Sequence, residues 1–145
     1  MTDDDFQTAF WSTKHALAAA AATAYARHGV YEGQQFILRQ LWQEDGLTPG
    51  QVAKRLGLAT PTVTRATTRM EAAGLVRREP HPTDRRLVRL HLTERGRELE
   101  REIEAESAGL TERALIGFSA AERSGLVRTL RRIEANLTDG GAQPR

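Results

Sequence analysis

Apolar residues recur at helical spacing in two stretches near the start of the chain. The first stretch runs from Phe6 to about His28, where His28-Gly29 closes it. The second stretch ends at Asp45-Gly46. Their apolar positions are Phe10, Trp11, Ala18 and Tyr25 in the first stretch, and Phe36, Ile37, Leu38, Leu41 and Trp42 in the second. The pattern therefore predicts two N-terminal helices.

Two helix-start signals follow in close succession. Thr48-Pro49-Gly50-Gln51 combines a hydroxyl N-cap, a proline at the first helical position and a glutamine three residues after the cap, and predicts a third helix to about Leu56. Gly57-Leu58 turns the chain. Thr60-Pro61 then repeats the cap-and-proline signal before a fourth helix that Gly74 stops. Two short helices joined by a glycine-containing turn predict a helix-turn-helix.

After Gly74 the period changes from helical spacing to two. Two short strands are predicted, over 75–79 and 87–92, separated by the turn-rich residues 80–84. In the second strand Val88, Leu90 and Leu92 alternate with Leu87, Arg89 and His91. This alternation is typical of a half-buried ribbon and predicts a wing beside the helix-turn-helix.

The last third of the chain returns to helical spacing. Thr93 can cap a fifth helix with Leu99, Ile103 and Leu110 on one side, and Ser119-Ala120-Ala121-Glu122 is a capping box for a sixth. An apolar stripe follows on the sixth helix, at intervals of four, three and four: Leu126, Leu130, Ile133 and Leu137. Such a stripe needs a covering surface, which is either another part of this chain or a second copy, and its terminal position favours the second copy. The Gly- and Pro-containing tail, 139–145, is expected to be mobile.

Composition favours one folded, soluble domain. The chain has 145 residues, with 39% hydrophobic and 28% charged residues. The acidic start does not suit a secretory signal, and the apolar run 16–24 is too short to cross a bilayer, so a soluble cytoplasmic protein with no membrane partner is expected. Because there is no cysteine, disulfides, thiolate zinc sites and thiol redox switches are excluded.

Positive charge is confined to the middle of the chain. Residues 51–91 hold nine Lys/Arg against three acidic residues, a net charge of +6, whereas the remainder carries −4. A solvated charged surface is the ordinary explanation of an arginine run. Because this run coincides with a helix-turn-helix pattern, it favours a face that binds nucleic acid.

The fourth helix separates into a buried face and a contact face. At about 100° per residue, Val63, Ala66, Met70 and Ala73 cluster on one side. The opposite side carries Pro61, Thr64, Arg65, Thr68 and Ala72, with Thr62 and Arg69 on its flanks. Small side chains there suit a major groove, in which Arg65 matches the two acceptors of guanine and Thr64 offers a hydroxyl or methyl contact. The positions suited to phosphates are Thr48, Thr60, Thr62 and the pair Lys54-Arg55.

The wing loop contains Asp84-Arg85-Arg86. An arginine at a ribbon tip can enter a narrow minor groove, and a nearby aspartate can hold it extended. We therefore expect Arg86 to insert, Asp84 to orient it, and Arg85 to do either job or to contact phosphate. An ordinary loop salt bridge is the alternative.

Several short motifs, taken in order, resemble the MarR family (multiple antibiotic resistance regulators). They are Gln35-Phe36 with Leu38, Thr48-Pro49-Gly50-Gln51-Val52-Ala53 through Leu56-Gly57-Leu58, Pro61-Thr62-Val63-Thr64-Arg65, Gly74-Leu75-Val76, Asp84-Arg85-Arg86 and Leu92-Thr93-Glu94-Arg95-Gly96. The resemblance implies a mainly α (α+β) fold. Its DNA-binding part, at about 30–92, is a winged helix-turn-helix with a two-stranded β-wing. The resemblance also implies dimerisation helices at about 6–28 and 93–138, within a single domain over 1–145. It further implies a homodimeric transcription factor, here taken as a repressor, on a pseudo-palindromic double-stranded operator, with binding loosened by a small, often aromatic ligand.

Three departures from the family pattern qualify this resemblance. Ala59 stands where members often carry a hydroxyl cap, so Thr60 is expected to serve instead. Tyr31 and Gly33 replace the usual start of the second helix, which puts its first turn in doubt. The absence of cysteine excludes the peroxide-sensing branch, so any ligand response must be noncovalent.

The effector pocket of the family lies where the first, second and fifth helices meet the winged helix. The resemblance therefore makes Trp11, His15, Phe36 and Arg39 candidates, although core packing explains Trp11 and Phe36 equally well and a solvated surface explains His15 and Arg39. An enzyme is not expected, because the four histidines have no metal-ligand spacing and there is no phosphate loop or nucleophile motif. No cofactor or metal is expected either. A ligand-independent DNA-binding module, or a winged helix used for protein contacts, remains the alternative.

Overall fold

The computed structural model describes residues 3–31 and 33–138, with no account of the side chains of residues 3 and 4. Six helices and two strands follow one another within these ranges: α1 Asp3–Ala26, α2 Gln34–Gln43, α3 Pro49–Leu56, α4 Thr60–Ala72, β1 Val76–Pro80, β2 Val88–Leu92, α5 Glu94–Ala114 and α6 Ala120–Thr138. The predicted fold class, mainly helical with a two-stranded antiparallel sheet, is confirmed. The tail 139–145, expected to be mobile, lies outside the described residues.

The chain divides into two compact units, one ending at Leu110 and the other beginning at Thr111. The first unit contains one hydrophobic core, to which α1 through α5 and both strands contribute. Its fully buried large side chains include Leu38, Leu41, Val52, Val63, Met70, Leu90, Leu99 and Ile103. Because the same core holds the helix-turn-helix and the base of the sheet, these elements are fixed relative to one another.

The sheet is buried at its base and exposed at its tip. The strands pair from Val76 opposite Leu92 to Pro80 opposite Val88, and Leu47 forms a further bridge to Leu90. The predicted alternation holds at the base, where Leu90 and Leu92 are buried. It is lost toward the tip, where Val88 is 37% exposed. The ribbon is therefore anchored at one end and projects at the other.

The predicted caps are confirmed at three helices. The Thr48 hydroxyl accepts the Gln51 backbone N–H at 3.2 Å, and the Gln51 side chain accepts the Thr48 N–H at 2.9 Å. Thr93 accepts the Gly96 N–H at 3.1 Å. Ser119 and Glu122 bond reciprocally at the start of α6. Each cap satisfies backbone groups that the first helical turn leaves unpaired.

The cap predicted at Thr60 is wrong. Ala59 is the N-cap of α4, in an extended conformation and without a side-chain hydrogen bond, and its carbonyl accepts the N–H groups of Thr62 and Val63. Thr60 is already helical. Since proline is tolerated anywhere in the first turn, where N–H groups lack intrahelical partners, Pro61 does not fix the cap one residue before it.

The second helix begins without the cap typical of a helix start. Gly33 is its N-cap, with φ of 81°, a left-handed conformation that glycine adopts without strain. The side chain of Gln34, the first residue of α2, accepts the backbone N–H of Tyr31 at 2.9 Å and so links the helix to the preceding segment. The first turn of α2 is therefore formed despite the unusual sequence.

Charged pairs join the two residues that follow α1 closely, Arg27 and His28, to α5 within the first unit. His28 lies between two carboxylates, with Nδ1 3.2 Å from Glu102 and Nε2 3.0 Å from Glu106. Arg27 also pairs with Glu106 at 3.1 Å. The hydrogen bond from His28, and then that from Arg27, hold the pKa of Glu106 below its ordinary value.

The second unit consists of the last turn of α5 and the helix α6. Arg123 closes the connection, because its guanidinium pairs with Glu112 at 2.8 Å and donates to the carbonyls of Leu115 and Phe118. No residue of α6 is buried within its described range. The predicted apolar stripe is largely uncovered in the single chain, with Leu126, Leu130 and Leu137 exposed by 39%, 42% and 80%.

We expect Gly96→Ala to destabilise the first unit. A Cβ at Gly96 would lie 2.2 Å from the Leu75 carbonyl oxygen, a backbone atom that cannot rotate away. The cost should be about 1–3 kcal/mol in the free energy of unfolding, typical of an overpacked site, and urea denaturation measures it. Gly109→Ala in the same helix is the control, because outside its own helical backbone no atom lies within 4 Å of the position that the new methyl group would take. That variant should gain about 0.5–1 kcal/mol. Equal stabilities would contradict the close approach of α5 to Leu75.

Candidate nucleic-acid interface

Helix α4 presents one face to the core and the other to solvent. Val63, Thr67 and Met70 are fully buried, and Ala66 is partly buried against them. The predicted face therefore needs two corrections: Thr67 belongs to it and Ala73, which is exposed, does not. Thr67 can be buried because its hydroxyl donates to the Thr64 carbonyl at 3.0 Å, which leaves the methyl group for packing. Ala73 is the C-cap of α4, so the helical spacing that defines the buried face no longer applies to it.

The contact face of α4 is open. Pro61, Thr62, Arg65, Thr68 and Arg69 are exposed, and Thr64 is half-buried. Thr68 donates its hydroxyl to the Thr64 carbonyl at 2.9 Å. Within the described ranges Arg65 has no ion-pair or hydrogen-bond partner, and its guanidinium is available to an external acceptor.

The predicted phosphate contacts differ in their availability. Lys54, Thr60 and Thr62 are exposed. Thr48 is 9% exposed, and its oxygen is engaged in the cap of α3, so that only its hydroxyl hydrogen remains to donate. Arg55 is paired with Glu44. The structure thus leaves Lys54 as the uncommitted cation of α3 among the residues it describes.

At the wing tip Asp84 grips Arg86 with both carboxylate oxygens. Arg86 Nε donates to Oδ1 and Nη2 donates to Oδ2, each at 3.1 Å, and the Arg86 backbone N–H also donates to Oδ1 at 3.1 Å. These bonds lower the pKa of Asp84, the side-chain bond most strongly, and raise the pKa of Arg86. The Arg86 side chain is nevertheless 89% exposed. The pair therefore fixes the direction of an arginine that still faces solvent.

The turn that carries this pair is organised by His81. Its Nδ1 atom accepts the backbone N–H groups of Thr83 at 3.2 Å and Asp84 at 3.1 Å. The loop closes through His81 N–H to the Leu87 carbonyl and Leu87 N–H to the Asp84 carbonyl, both at 3.1 Å. Sequence reasoning missed His81 because it weighed histidines as metal ligands. The available signal was a side-chain acceptor at the start of a turn-rich run.

The two arginines of β1 are paired with carboxylates. Arg77 pairs with Glu79 at 3.1 Å. Glu71, in the last turn of α4, accepts the Arg78 backbone N–H at 3.0 Å and lies 3.5 Å from its guanidinium. This second pair ties the end of α4 to β1. Within the basic segment 51–91, the cations for which the described residues show no acidic partner are Lys54, Arg65, Arg85 and Arg89.

The four candidate pocket residues have separate polar environments. The Trp11 indole donates to Gln7 at 3.1 Å, and Lys14 Nζ lies 5.0 Å from its ring centre, so its partners are on α1. His15 is exposed. Arg39 instead reaches α5, where it donates to Ser107 at 3.0 Å, and Phe36 is 49% exposed. No hydrogen bond or ring contact among the described residues brings Trp11 and Arg39 together.

The described ranges show neither a metal-binding cluster nor a membrane-spanning helix. No group of three or more His, Asp or Glu side chains there is arranged to hold a metal ion. None of the helices there is long and apolar enough to cross a membrane.

Comparison with known proteins identifies the arrangement. The model of the MarR family matches residues 30–88. The HTH-type transcriptional regulator TtmR of Methylorubrum extorquens is 35% identical over 97 residues, which are 67% of this chain and 50% of that protein. The chain thus matches about half the length of this curated relative.

Solved structures share the fold. The MarR protein from Peptoclostridium difficile superimposes with a TM-score of 0.85 at 19% identity, covering 94% of this chain and 90% of that one. Reduced AbfR, solved bound to DNA, gives a TM-score of 0.80 at 19% identity, covering 94% and 92% of the two chains. The family match over residues 30–88, the transcriptional-regulator relative and the shared six-helix fold together support a MarR-family winged-helix transcriptional regulator.

Proposed function

We propose that this protein is a sequence-specific, double-stranded DNA-binding regulator that acts as a homodimeric repressor on a pseudo-palindromic operator. The observation that carries the proposal is the pairing of two presented arginines on one core. Arg65 projects without a partner from α4, and Arg86 is held extended by Asp84 at the wing. The surrounding segment 51–91 has a net charge of +6.

In the proposed complex α4 lies in the major groove. Its exposed side chains are short apart from Arg65 and Arg69, which permits close approach to the base edges. Arg65 donates two parallel hydrogen bonds to a guanine, and Thr64 contacts a neighbouring base. The contacts assigned to the backbone are Thr48, Lys54, Thr60, Pro61, Thr62, Thr68 and Arg69, of which Thr48 has the least accessible side chain.

The wing supplies the second contact, in the adjacent minor groove. Arg86 enters the groove, where the potential is most negative when the groove is narrow, and Arg85 lies nearby to neutralise a phosphate. AbfR, which has the same fold, is a precedent for DNA binding. The Asp84 carboxylate repels phosphate, so its presence at the tip is best explained by its grip on Arg86.

Dimerisation is proposed through the terminal helices. The stripe of Leu126, Leu130, Ile133 and Leu137 is largely uncovered in the single chain, as are Phe6 and Trp11 on α1, which are exposed by 46% and 53%. Apolar side chains repeated along two helices favour burial against a second copy. A dimer brings two copies of the winged helix to one operator. Because the copies are related by two-fold symmetry, the expected operator is a pseudo-palindrome.

Relief of repression is proposed to come from a small, noncovalent ligand with aromatic character. Trp11, His15, Phe36 and Arg39 remain its candidate contacts, and the protein is placed on the nucleoid in the cytoplasm. A ligand-independent DNA-binding module or a protein-interaction module is the competing function. A gel shift with random duplex DNA separates the protein-interaction module from both DNA-binding functions.

Arg65→Ala should weaken binding to the cognate operator by about 1–3 kcal/mol and relax specificity at one base pair. Arg65→Lys is the matched variant, because it keeps the charge but loses the two parallel donors of the guanidinium. If Arg65 reads guanine, both variants lose discrimination between operator and scrambled duplex in a fluorescence anisotropy titration. Full rescue by lysine, or an equal loss on all sequences, would show that Arg65 contacts only phosphate.

Arg86→Ala should weaken binding most on operators with narrow, A/T-rich flanks. Asp84→Asn tests the orienting role separately. Removing a negative charge should by itself tighten binding to DNA, whereas losing the two-oxygen grip on Arg86 should weaken it. We expect weaker binding, measured against matched duplexes that differ only in their flanks. Unchanged affinity of Arg86→Ala would remove the wing from the mechanism.

Deleting the chain from Ser119 onward should abolish the dimer and, with it, tight operator binding. Since a truncation can also disturb folding, Leu126→Asp with Leu130→Asp is the second variant, and Ser124→Asp, on the opposite side of α6, is its control. Sedimentation velocity should show monomers for the first two proteins and a dimer for the control. A stable dimer lacking the stripe would overturn the proposed interface.

A further inference from the structure

We infer that His81 is a positioning residue of the wing: its neutral imidazole folds the turn that presents Arg86, so that protonation of His81 weakens the wing contact with DNA. The inference rests on the proposed function and adds to it a pH dependence located at one side chain. It follows from the direction of the hydrogen bonds at the wing tip.

The hydrogen bonds determine the tautomer of His81. Nδ1 faces the backbone N–H groups of Thr83 and Asp84, at 3.2 and 3.1 Å, and a backbone N–H can only donate. Nδ1 must therefore carry a lone pair, and the ring proton is on Nε2. The Thr83 hydroxyl, 3.4 Å from the same atom, can donate as well. Three potential donors thus converge on one acceptor.

A short series of bonds leads from this acceptor to the DNA-facing arginine. His81 holds the backbone of Asp84, and the Asp84 carboxylate holds the Arg86 side chain and backbone N–H. The tip has little packing to replace these bonds, since Leu87 and Val88 are exposed by 42% and 37%. The direction of Arg86 therefore depends on the bonds that His81 accepts.

Protonation reverses the role of Nδ1. Histidine is the side chain that ordinarily gains a proton between about pH 8 and about pH 5. A protonated Nδ1 is a donor, which would face the donors of Thr83 and Asp84, so both bonds are lost. His81 is partly exposed, and protons reach it without any opening of the core.

The charged neighbours of His81 do not remove this effect. Asp84 is the acidic residue of the turn, and the bonds from Arg86 keep the pKa of Asp84 low, so the Asp84–Arg86 pair stays ionised over the same range. On the sheet, Glu79 pairs with Arg77 of the same strand and with His91 of β2, and Arg89 lies opposite Glu79. Arg85 and Arg86 flank the turn and oppose a further positive charge.

The phosphates of bound DNA would attract protonated His81. This attraction alone predicts the opposite pH dependence of DNA affinity, namely tighter binding at low pH.

The matched control is His81→Asn. An asparagine at the start of a turn accepts backbone N–H groups two or three residues ahead and does not titrate in this range. It keeps the acceptor and removes the proton switch, whereas His81→Ala removes both. The other three histidines are present in every protein compared, so their titration cancels.

The experiment measures operator affinity of the full-length wild type, H81N and H81A at about pH 8 and about pH 5.5 at constant ionic strength. From high to low pH, wild-type affinity should fall relative to H81N by about threefold to tenfold, within the range expected when ordinary hydrogen bonds that position a contact are lost. H81A should already be weak at high pH. With Arg86→Ala added to both the wild type and H81N, the difference between their pH responses should disappear. An identical pH response of wild type and H81N, or relative tightening of the wild type, would overturn the inference.

A measurement without DNA separates this inference from the proposed function. Nitrogen-15 NMR of the free protein reports the His81 tautomer and the amide signals of Thr83 and Asp84. We expect a proton on Nε2 at high pH, and shifts of both amides that follow the His81 titration and are absent from H81N. A proton on Nδ1 at high pH would refute the inference whether or not the protein binds DNA. The expected NMR result without operator binding at either pH would instead count against the proposed function, and the inferred effect on DNA would fail with it.

Discussion

The close approach of α5 to the backbone at Leu75 is the constraint that sets the relative positions of α4 and the two-stranded wing. Gly96 packs where a methyl group would collide with the Leu75 carbonyl, and Thr93 donates from its backbone to that carbonyl at 3.1 Å. The Thr93 hydroxyl donates to Gly74 at 2.6 Å, and the Leu75 N–H donates to Met70 at 2.9 Å. The end of α4, the base of both strands and the start of α5 therefore meet at one junction. A substitution that disturbs this junction would therefore displace both proposed DNA contacts, Arg65 on α4 and Arg86 on the wing.

The acidic residues of the basic segment organise its arginines rather than merely diluting its charge. Glu71 fixes Arg78 at the end of α4, Glu79 fixes Arg77, and Asp84 fixes Arg86. All three pairs lie partly in solvent, where such pairs contribute little to folding stability. Their effect is directional: they select one orientation of a long, flexible side chain before DNA is present. Preorganisation of this kind reduces the conformational entropy lost on binding.

Sequence reasoning succeeded where the determining interactions are local. The caps at Thr48, Thr93 and Ser119 were predictable because each bond spans three residues, and the α6 stripe was visible from its spacing. It failed where burial or side-chain partners depend on residues distant in sequence. It also failed at the start of α4, where the sequence offers adjacent candidates for the N-cap, Ala59 and Thr60. Burial of Thr67 requires knowing that its hydroxyl bonds to the Thr64 carbonyl and that a core covers its methyl group. The contacts of Arg39 on α5, 65 and more residues away, leave no local pattern.

The two proposed DNA contacts differ in what holds them in place, and this difference has consequences for variation. Arg65 is carried by a helix whose other face is buried in the core, so its position changes only if the core changes. Arg86 is carried by a turn whose shape is set by hydrogen bonds at an exposed tip, while the sheet is anchored at Leu90 and Leu92. Substitutions or protonation at the tip can therefore alter the wing contact with little effect on folding, because local opening there does not require global unfolding. Under the proposed function, the wing is consequently the part of this fold where DNA affinity can be adjusted while the base contacts proposed for α4 are preserved.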